Sequence, residues 1–319
     1  MTAELQPPPP DTVESATPAI RLDGVSRWYG NVVAVNKISF SVGPGITGLL
    51  GPNGAGKSTI LHMIAGFLRP SSGSVEVLGS PAWQNQEMYR RVGLVPEREA
   101  VYPFLTGYEF VLLSAQLYKL PDPQEAARRA IQLVDMEQAQ DRKTGGYSKG
   151  MKQRMKLAAA LVHDPPLLLL DEPFNGADPG QRLRMMALLQ EMAAAGRTIV
   201  FSSHILEEVE RLGDNVLVIV AGRLAASGDF HAIRRLMTDH PHTFTLRSSD
   251  DRRLGAALIA DPSVLGVELM DGRLSVRTSD FGAFALAAPR VAHKNGVTLF
   301  EVLPADRSLE SVFSYLVNR

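Results

Sequence analysis

Nine consecutive residues, Gly51-Pro52-Asn53-Gly54-Ala55-Gly56-Lys57-Ser58-Thr59, have the spacing of a loop that cradles phosphate. Glycines let the backbone wrap closely with its N–H groups turned inward, and a helix starting there adds partial positive charge. Lys57 is placed to reach β and γ phosphates, and Ser58 offers a hydroxyl to Mg²⁺. A second cluster, Asp171-Glu172-Pro173, follows the apolar run Leu167 to Leu170. There Asp171 can hold Mg²⁺ through water, and Glu172 can orient an attacking water and draw off its proton. Singly, these are a glycine-rich turn and an acidic turn after a core strand. Together they point to binding and hydrolysis of a nucleoside triphosphate.

Such groups need a scaffold that brings them to one place. Ile20 to Val25, Ile38 to Val42 and Ile46 to Leu50 are short β-rich runs, and Ser58 to Leu68 has helical spacing. The phosphate loop thus lies between strand and helix. Beyond Val92 to Val95, residues from about 103 to 162 read as mostly helical, with breaks at Leu120-Pro121-Asp122-Pro123 and Gly145-Gly146. Alternation then resumes with strand Leu167–Leu170, helix Gln181–Ala195, strand Ile199–Ser202, helix Ile205–Leu212 and strand Val216–Val220. Apolar strands alternating with helices imply an α/β domain with a largely parallel sheet covered on both faces. The carboxyl ends of such strands are where ligands bind. The helical stretch reads as an insertion.

Residues 1–19 hold five prolines, three acids and no basic residue, the composition of a disordered tail, with a polyproline ligand at Pro7 to Pro10 as the competing reading. Near Thr238 to His242 the composition shifts as in a linker. After it the order strand, helix, strand, strand, helix, strand suggests a small ferredoxin-like α+β domain over 243–319, with an Asp271-Gly272 hairpin turn. An irregular α+β appendage is the alternative.

The chain has 319 residues, a formal net charge of -1 and no cysteine. It therefore lacks a global field that gathers nucleic acid, and it has no thiolate chemistry. The apolar runs are far shorter than the roughly 20 residues of a spanning helix, and the first residues lack the pattern of a signal peptide. A role at a membrane would need a partner that supplies the span.

Over residues 20–237 the chain resembles the ATP-binding subunits of ABC transporters, with the helical subdomain at about 103–162. Tyr29, followed by Gly30, matches the aromatic that stacks on adenine, although Trp28 is its neighbour. Tyr147-Ser148-Lys149-Gly150-Met151 stands where the family carries its signature, and keeps Ser148 and Gly150. Gly176-Ala177-Asp178 fits the family's D-loop, and His204 fits its switch histidine. Glu97 replaces the usual glutamine that meets the metal, while Lys149, Met151 and Tyr147 replace signature residues. Glu97 either meets Mg²⁺ with Ser58 and Asp171 or pairs with a basic residue. The variants look like those of bacterial exporters of the ABC-2 type, as does the C-terminal extension ending at Ser308 to Phe313.

The resemblance implies an ATPase that uses ATP and Mg²⁺, with Glu172, His204 and Lys57 catalytic. Ser148, Gly150 and Asp178 would serve a second ATPase subunit, an identical copy or a close relative, across two shared ATPs. An integral membrane permease subunit would receive the motion around Glu97 to Gly107, with the chain peripheral on the cytoplasmic face of a bacterial membrane. Importers, and soluble ATPases of the same family in translation or DNA repair, are the alternatives. The segment from Thr238 has ten acids against nine bases, hardly a nucleic-acid surface.

Overall fold

The computed structural model describes residues 18–98, 100–213, 215–229, 242–270 and 273–304. Residues 1–17 of the expected tail over 1–19, the linker through 241, the turn at 271–272 and the terminal stretch 308–313 lie outside them; Ala19, the last residue of that tail, is instead buried, and its carbonyl accepts from the Leu78 N–H. Strands β1 (Ile20–Tyr29) and β2 (Val32–Val42) precede β3 (Gly45–Leu50), the phosphate loop and α1 (Lys57–Ile64). Next come β4 (Ser72–Val77), β5 (Ser80–Pro81), α2 (Gln86–Tyr89) and β6 (Val92–Val95). Helices α3 (Gly107–Leu117), α4 (Pro123–Leu133) and α5 (Lys149–Leu161) form the insertion. The chain then returns as β7 (Leu167–Leu170), α6 (Pro179–Ala194), β8 (Thr198–Ser203), α7 (Leu206–Leu212), β9 (Asn215–Val220) and β10 (Arg223–Asp229).

One sheet has the order β10-β9-β3-β8-β7-β6, and all its pairs are parallel except the β10–β9 edge. Its register sets Leu50 opposite Ser203, Leu170 opposite Phe201 and Val95 opposite Leu170. Four turns, those after β3, β8, β7 and β6, therefore emerge side by side at one end. The four leucines of β7 show why the sheet holds. All are fully buried, Leu167 and Leu169 on the face packed with α1 and β1, Leu168 and Leu170 on the face packed with α5 and α6. A continuous apolar run is what a strand covered on both faces requires.

Two features depart from the sequence reading. A second sheet, antiparallel with order β2-β1-β4-β5, covers α1. Its strand β4, with burial confined to Val75 and Val77, carries too little apolar periodicity to be read in advance. The helix after the phosphate loop ends at Ile64, not Leu68. Gly66 turns the chain there with φ 72°, and the carbonyl of Ala82 occupies the space a Cβ would take.

The insertion is built as expected. Asp122 caps α4 with Pro123 in its first turn, and Thr106 with Glu109 forms a reciprocal capping box on α3. C-terminal strands β11 (His242–Ser248), β12 (Val264–Met270), β13 (Arg273–Thr278) and β14 (Leu299–Pro304) pair antiparallel in the order β12-β13-β11-β14. With helices Asp251–Leu258 and Phe281–Lys294 between them, this is the ferredoxin-like arrangement. Its own core centres on Phe244, Leu246, Leu254, Leu274 and Phe284.

Candidate active site

Gly51 continues from β3, and its N–H donates to the Ser203 carbonyl at the end of β8, tying the phosphate loop to the neighbouring strand. Gly56 caps α1 with φ 104°, and a side chain there would strike the Ala34 carbonyl, so only glycine fits. Lys57, the first residue of α1, is buried. Its Nζ donates to the carbonyls of Gly51 (2.7 Å) and Pro52 (3.2 Å) and lies 3.3 Å from Glu172 Oε1. Pro52, Asn53, Gly54, Ala55, Ser58 and Thr59 complete the loop and the first turn around it.

Glu172 is the most constrained residue of the site. It precedes Pro173 with φ 47°, the left-handed region that non-glycine residues rarely occupy and that costs on the order of 1–3 kcal/mol. Its surroundings over-determine it. The N–H donates to Ser202 Oγ (2.9 Å), the carbonyl accepts from Gln153 Nε2 (3.1 Å), and Oε2 lies 2.9 Å from His204 Nδ1. An ionised carboxylate only accepts, so Nδ1 is the donor. Oε1 is buried, facing Lys57 but without a hydrogen-bond partner. Lys57 sets an opposite charge 3.3 Å from this buried oxygen.

Asp171, also buried, accepts from Ser202 Oγ at 2.6 Å, and its N–H donates to the Val95 carbonyl at 2.8 Å. Ser202 therefore bridges the two acids, donating to one side chain and accepting from the next backbone N–H. Glu97 lies two residues beyond Val95, in the turn next to Asp171. Its side chain is exposed, and among the described residues its carboxylate forms no ion pair, so the alternative of pairing with a basic residue finds no partner within them. No group of three or more His, Cys, Asp or Glu side chains that could hold a metal occurs among the described residues. The donors here suit Mg²⁺, which keeps waters and binds through one or two carboxylates with substrate phosphates.

Behind His204, Ser203 Oγ donates to Glu208 Oε2 at 2.6 Å, and Glu208 Oε1 lies 3.3 Å from Arg182 of α6. Burial pushes the Glu208 carboxyl above its usual range, opposed by the Ser203 bond and Arg182.

Lys57, Asp171, Glu172 and His204 are thus brought together. The signature residues stand elsewhere. Ser148 caps α5, accepting from the Met151 N–H, and Gly150 packs against the turn at Ala177. Asp178 caps α6, accepting from the Gln181 N–H at 2.9 Å. Tyr147 has a structural account: its hydroxyl donates to the Ala139 carbonyl (2.6 Å), in space left by Gly107. Burial pushes its phenol above the ordinary value. Tyr29 ends β1 about half exposed, with the Arg27 guanidinium 4.7 Å from its ring centre; Trp28 is equally exposed.

Ser202, Gln153 and Glu208 were not singled out in sequence. Ser202 had a usable signal, since a serine ending an apolar strand beside an acid-ended one invites a bridge. Gln153 and Glu208 read only as polar positions on helices.

The family model described as ABC transporter matches residues 35–175. An ABC transporter ATP-binding protein of Nostoc sp. is 43% identical over 202 residues, 62% of this chain and 60% of that one, so the match spans less than two thirds of that relative. Nod factor export ATP-binding protein I of Rhizobium sp. is 34% identical over 305 residues, covering 94% of this chain and 97% of the relative. A solved ATP-binding subunit of an ABC transporter superposes with a TM-score of 0.63 at 31% identity, over 69% of this chain and 93% of that one.

Proposed function

The chain belongs to the ABC transporter family as one of its ATP-binding subunits, ATPases that use Mg²⁺, and from that premise we propose that it powers export of the ABC-2 type. In this reading two copies close on two ATPs, seated on the cytoplasmic face of a membrane against a permease subunit. No helix among the described residues is long and apolar enough to cross a membrane, so the span would come from that partner. Export is supported by the near full-length relative whose name states it.

The observation that carries the catalytic reading is Glu172, held in a strained backbone between Lys57 and His204. Lys57 would exchange the Gly51 and Pro52 carbonyls for β and γ phosphate oxygens. Oε1 of Glu172, already without a hydrogen bond, would then accept the proton of the attacking water. His204, held by Glu172 through Nδ1, would contact the γ-phosphate. Ser58 and Asp171, with Glu97 beside them, would hold Mg²⁺, which neutralises charge on the phosphates. Tyr29 would stack on adenine. Ser148 and Gly150 of the second copy would complete the site, with Asp178 at the same contact.

Glu172→Gln tests the assignment. It should retain ATP binding and lose turnover by roughly 10²–10⁴-fold, the contribution of a general base. Turnover at the wild-type rate would remove Glu172 from that role. Purification of the chain from membranes should bring a polytopic membrane protein with it; an active ATPase that never does so would contradict the transport reading.

A further inference from the structure

Helix α5 begins at Ser148, and two of its side chains reach past it into the catalytic turns. Gln153 donates to the carbonyl of Glu172, in the turn after β7. Three residues on, and so on the same face, lies Lys156. Its ammonium is buried, with only 5% of the residue exposed, and it donates to the carbonyls of Pro96 (2.6 Å), Arg98 (2.9 Å) and Glu97 (3.4 Å) in the turn after β6. A lysine has three N–H donors, and a dehydrated ammonium is costly unless all find acceptors. Three backbone carbonyls of one tight turn are among its acceptors.

The turn is therefore shaped around the cation. It also starts where the metal side of the site starts, because the Val95 carbonyl immediately before it accepts from the Asp171 N–H.

We propose that Lys156 is a positioning residue that fixes the Pro96–Arg98 turn to α5 and thereby presents the Glu97 carboxylate beside Asp171. Together with Gln153 it fastens both acid-bearing turns to the helix that Ser148 caps. Lys156 lies eight residues beyond Ser148, about 12 Å along the axis at 1.5 Å per residue. A shift of α5 at its first turn would thus be carried to both turns. The inference rests on the reading of Glu97 as a metal ligand, and the experiment separates the two.

Lys156→Met, Glu97→Gln and the double variant are compared in three measurements: ATP dissociation constant, Mg²⁺ dependence of hydrolysis, and amide hydrogen exchange at residues 97 and 98 without nucleotide or metal. Lys156→Met should leave ATP affinity within about twofold, since the phosphate loop is untouched. It should speed exchange in the turn and raise the half-maximal Mg²⁺ concentration by roughly tenfold, the low end for an outer partner of a metal ligand. The double variant should be no worse than Lys156→Met alone. Multiplying effects, or unchanged exchange and an unchanged Mg²⁺ curve, would overturn the proposal. Loss of the Lys156 effect on Mg²⁺ together with a neutral Glu97→Gln would instead remove Glu97 from the metal, and the proposal with it. A neutral Glu97→Gln beside a full Lys156→Met effect would also overturn it, as Lys156 would then act elsewhere. Should Lys156→Met not fold, Lys156→Gln serves, with fewer donors and no charge. It should move exchange and the Mg²⁺ curve in the same direction, and wild-type behaviour in both would overturn the proposal.

Discussion

The molecule contains an α/β unit and an α+β unit that differ in strand direction, and the chemistry follows that difference. In the β10-β9-β3-β8-β7-β6 sheet, β3, β8, β7 and β6 run the same way, so the turns bearing the phosphate loop, His204, Asp171-Glu172 and Glu97 open at one end. In the C-terminal β12-β13-β11-β14 sheet every pair is antiparallel, so successive turns are split between the two ends. Among the described residues its buried side chains are apolar apart from Thr278, whose hydroxyl donates to the Ser263 carbonyl. Parallel strands concentrate functional groups, whereas this antiparallel unit offers a packed core and no cluster of reactive groups among the described residues.

If that contrast is right, substitutions at the parallel strand ends should dominate every nucleotide measurement. Lys57→Ala should have the largest effect on affinity, weakening ATP binding by roughly 10- to 100-fold, as expected when a charge-assisted hydrogen bond worth about 1.5–3 kcal/mol is lost. Equilibrium binding with a fluorescent ATP analogue reads this directly. Tyr29→Ala, at the rim of the site, should cost about 1 kcal/mol, the low end for base stacking because the ring is half exposed. Normal binding by Tyr29→Ala with weakened binding by Trp28→Ala would transfer the stacking role to Trp28. The smallest effect should come from the antiparallel unit. Truncation after Leu236 should leave a soluble chain whose ATP affinity stays within about twofold, as for a separately folding domain. Insolubility of that fragment would mean that the C-terminal unit is required to hold the ATP-binding sheet together.

Much of this contrast could be read from residue order. Strong local signals were legible: the four leucines of β7, the proline and aspartate that open α4, and the strand–loop–helix around Lys57. The βαββαβ order of the C-terminal unit was legible for the same reason, since each element carries its own periodicity. Weakly apolar elements were not. Strands β4 and β10 bury few side chains, and their pairing is decided by neighbours distant in sequence. The same limit applies within the site. Glu172 and Lys57 announce themselves by motif, whereas Lys156 and Gln153 act through backbone carbonyls 19 to 60 residues away and leave no local pattern.

In the proposed function this strand-end cluster would be one half of a shared site, completed by Ser148 and Gly150 of a second copy. The most direct measurement is the mass of Glu172→Gln by sizing chromatography with light scattering, with and without ATP and Mg²⁺. The account predicts a monomer without nucleotide and a dimer holding two ATPs with it, and reversion to monomer when Ser148→Arg is added to block the contact. A variant that binds ATP fully yet remains a monomer, or a dimer indifferent to Ser148→Arg, would contradict it.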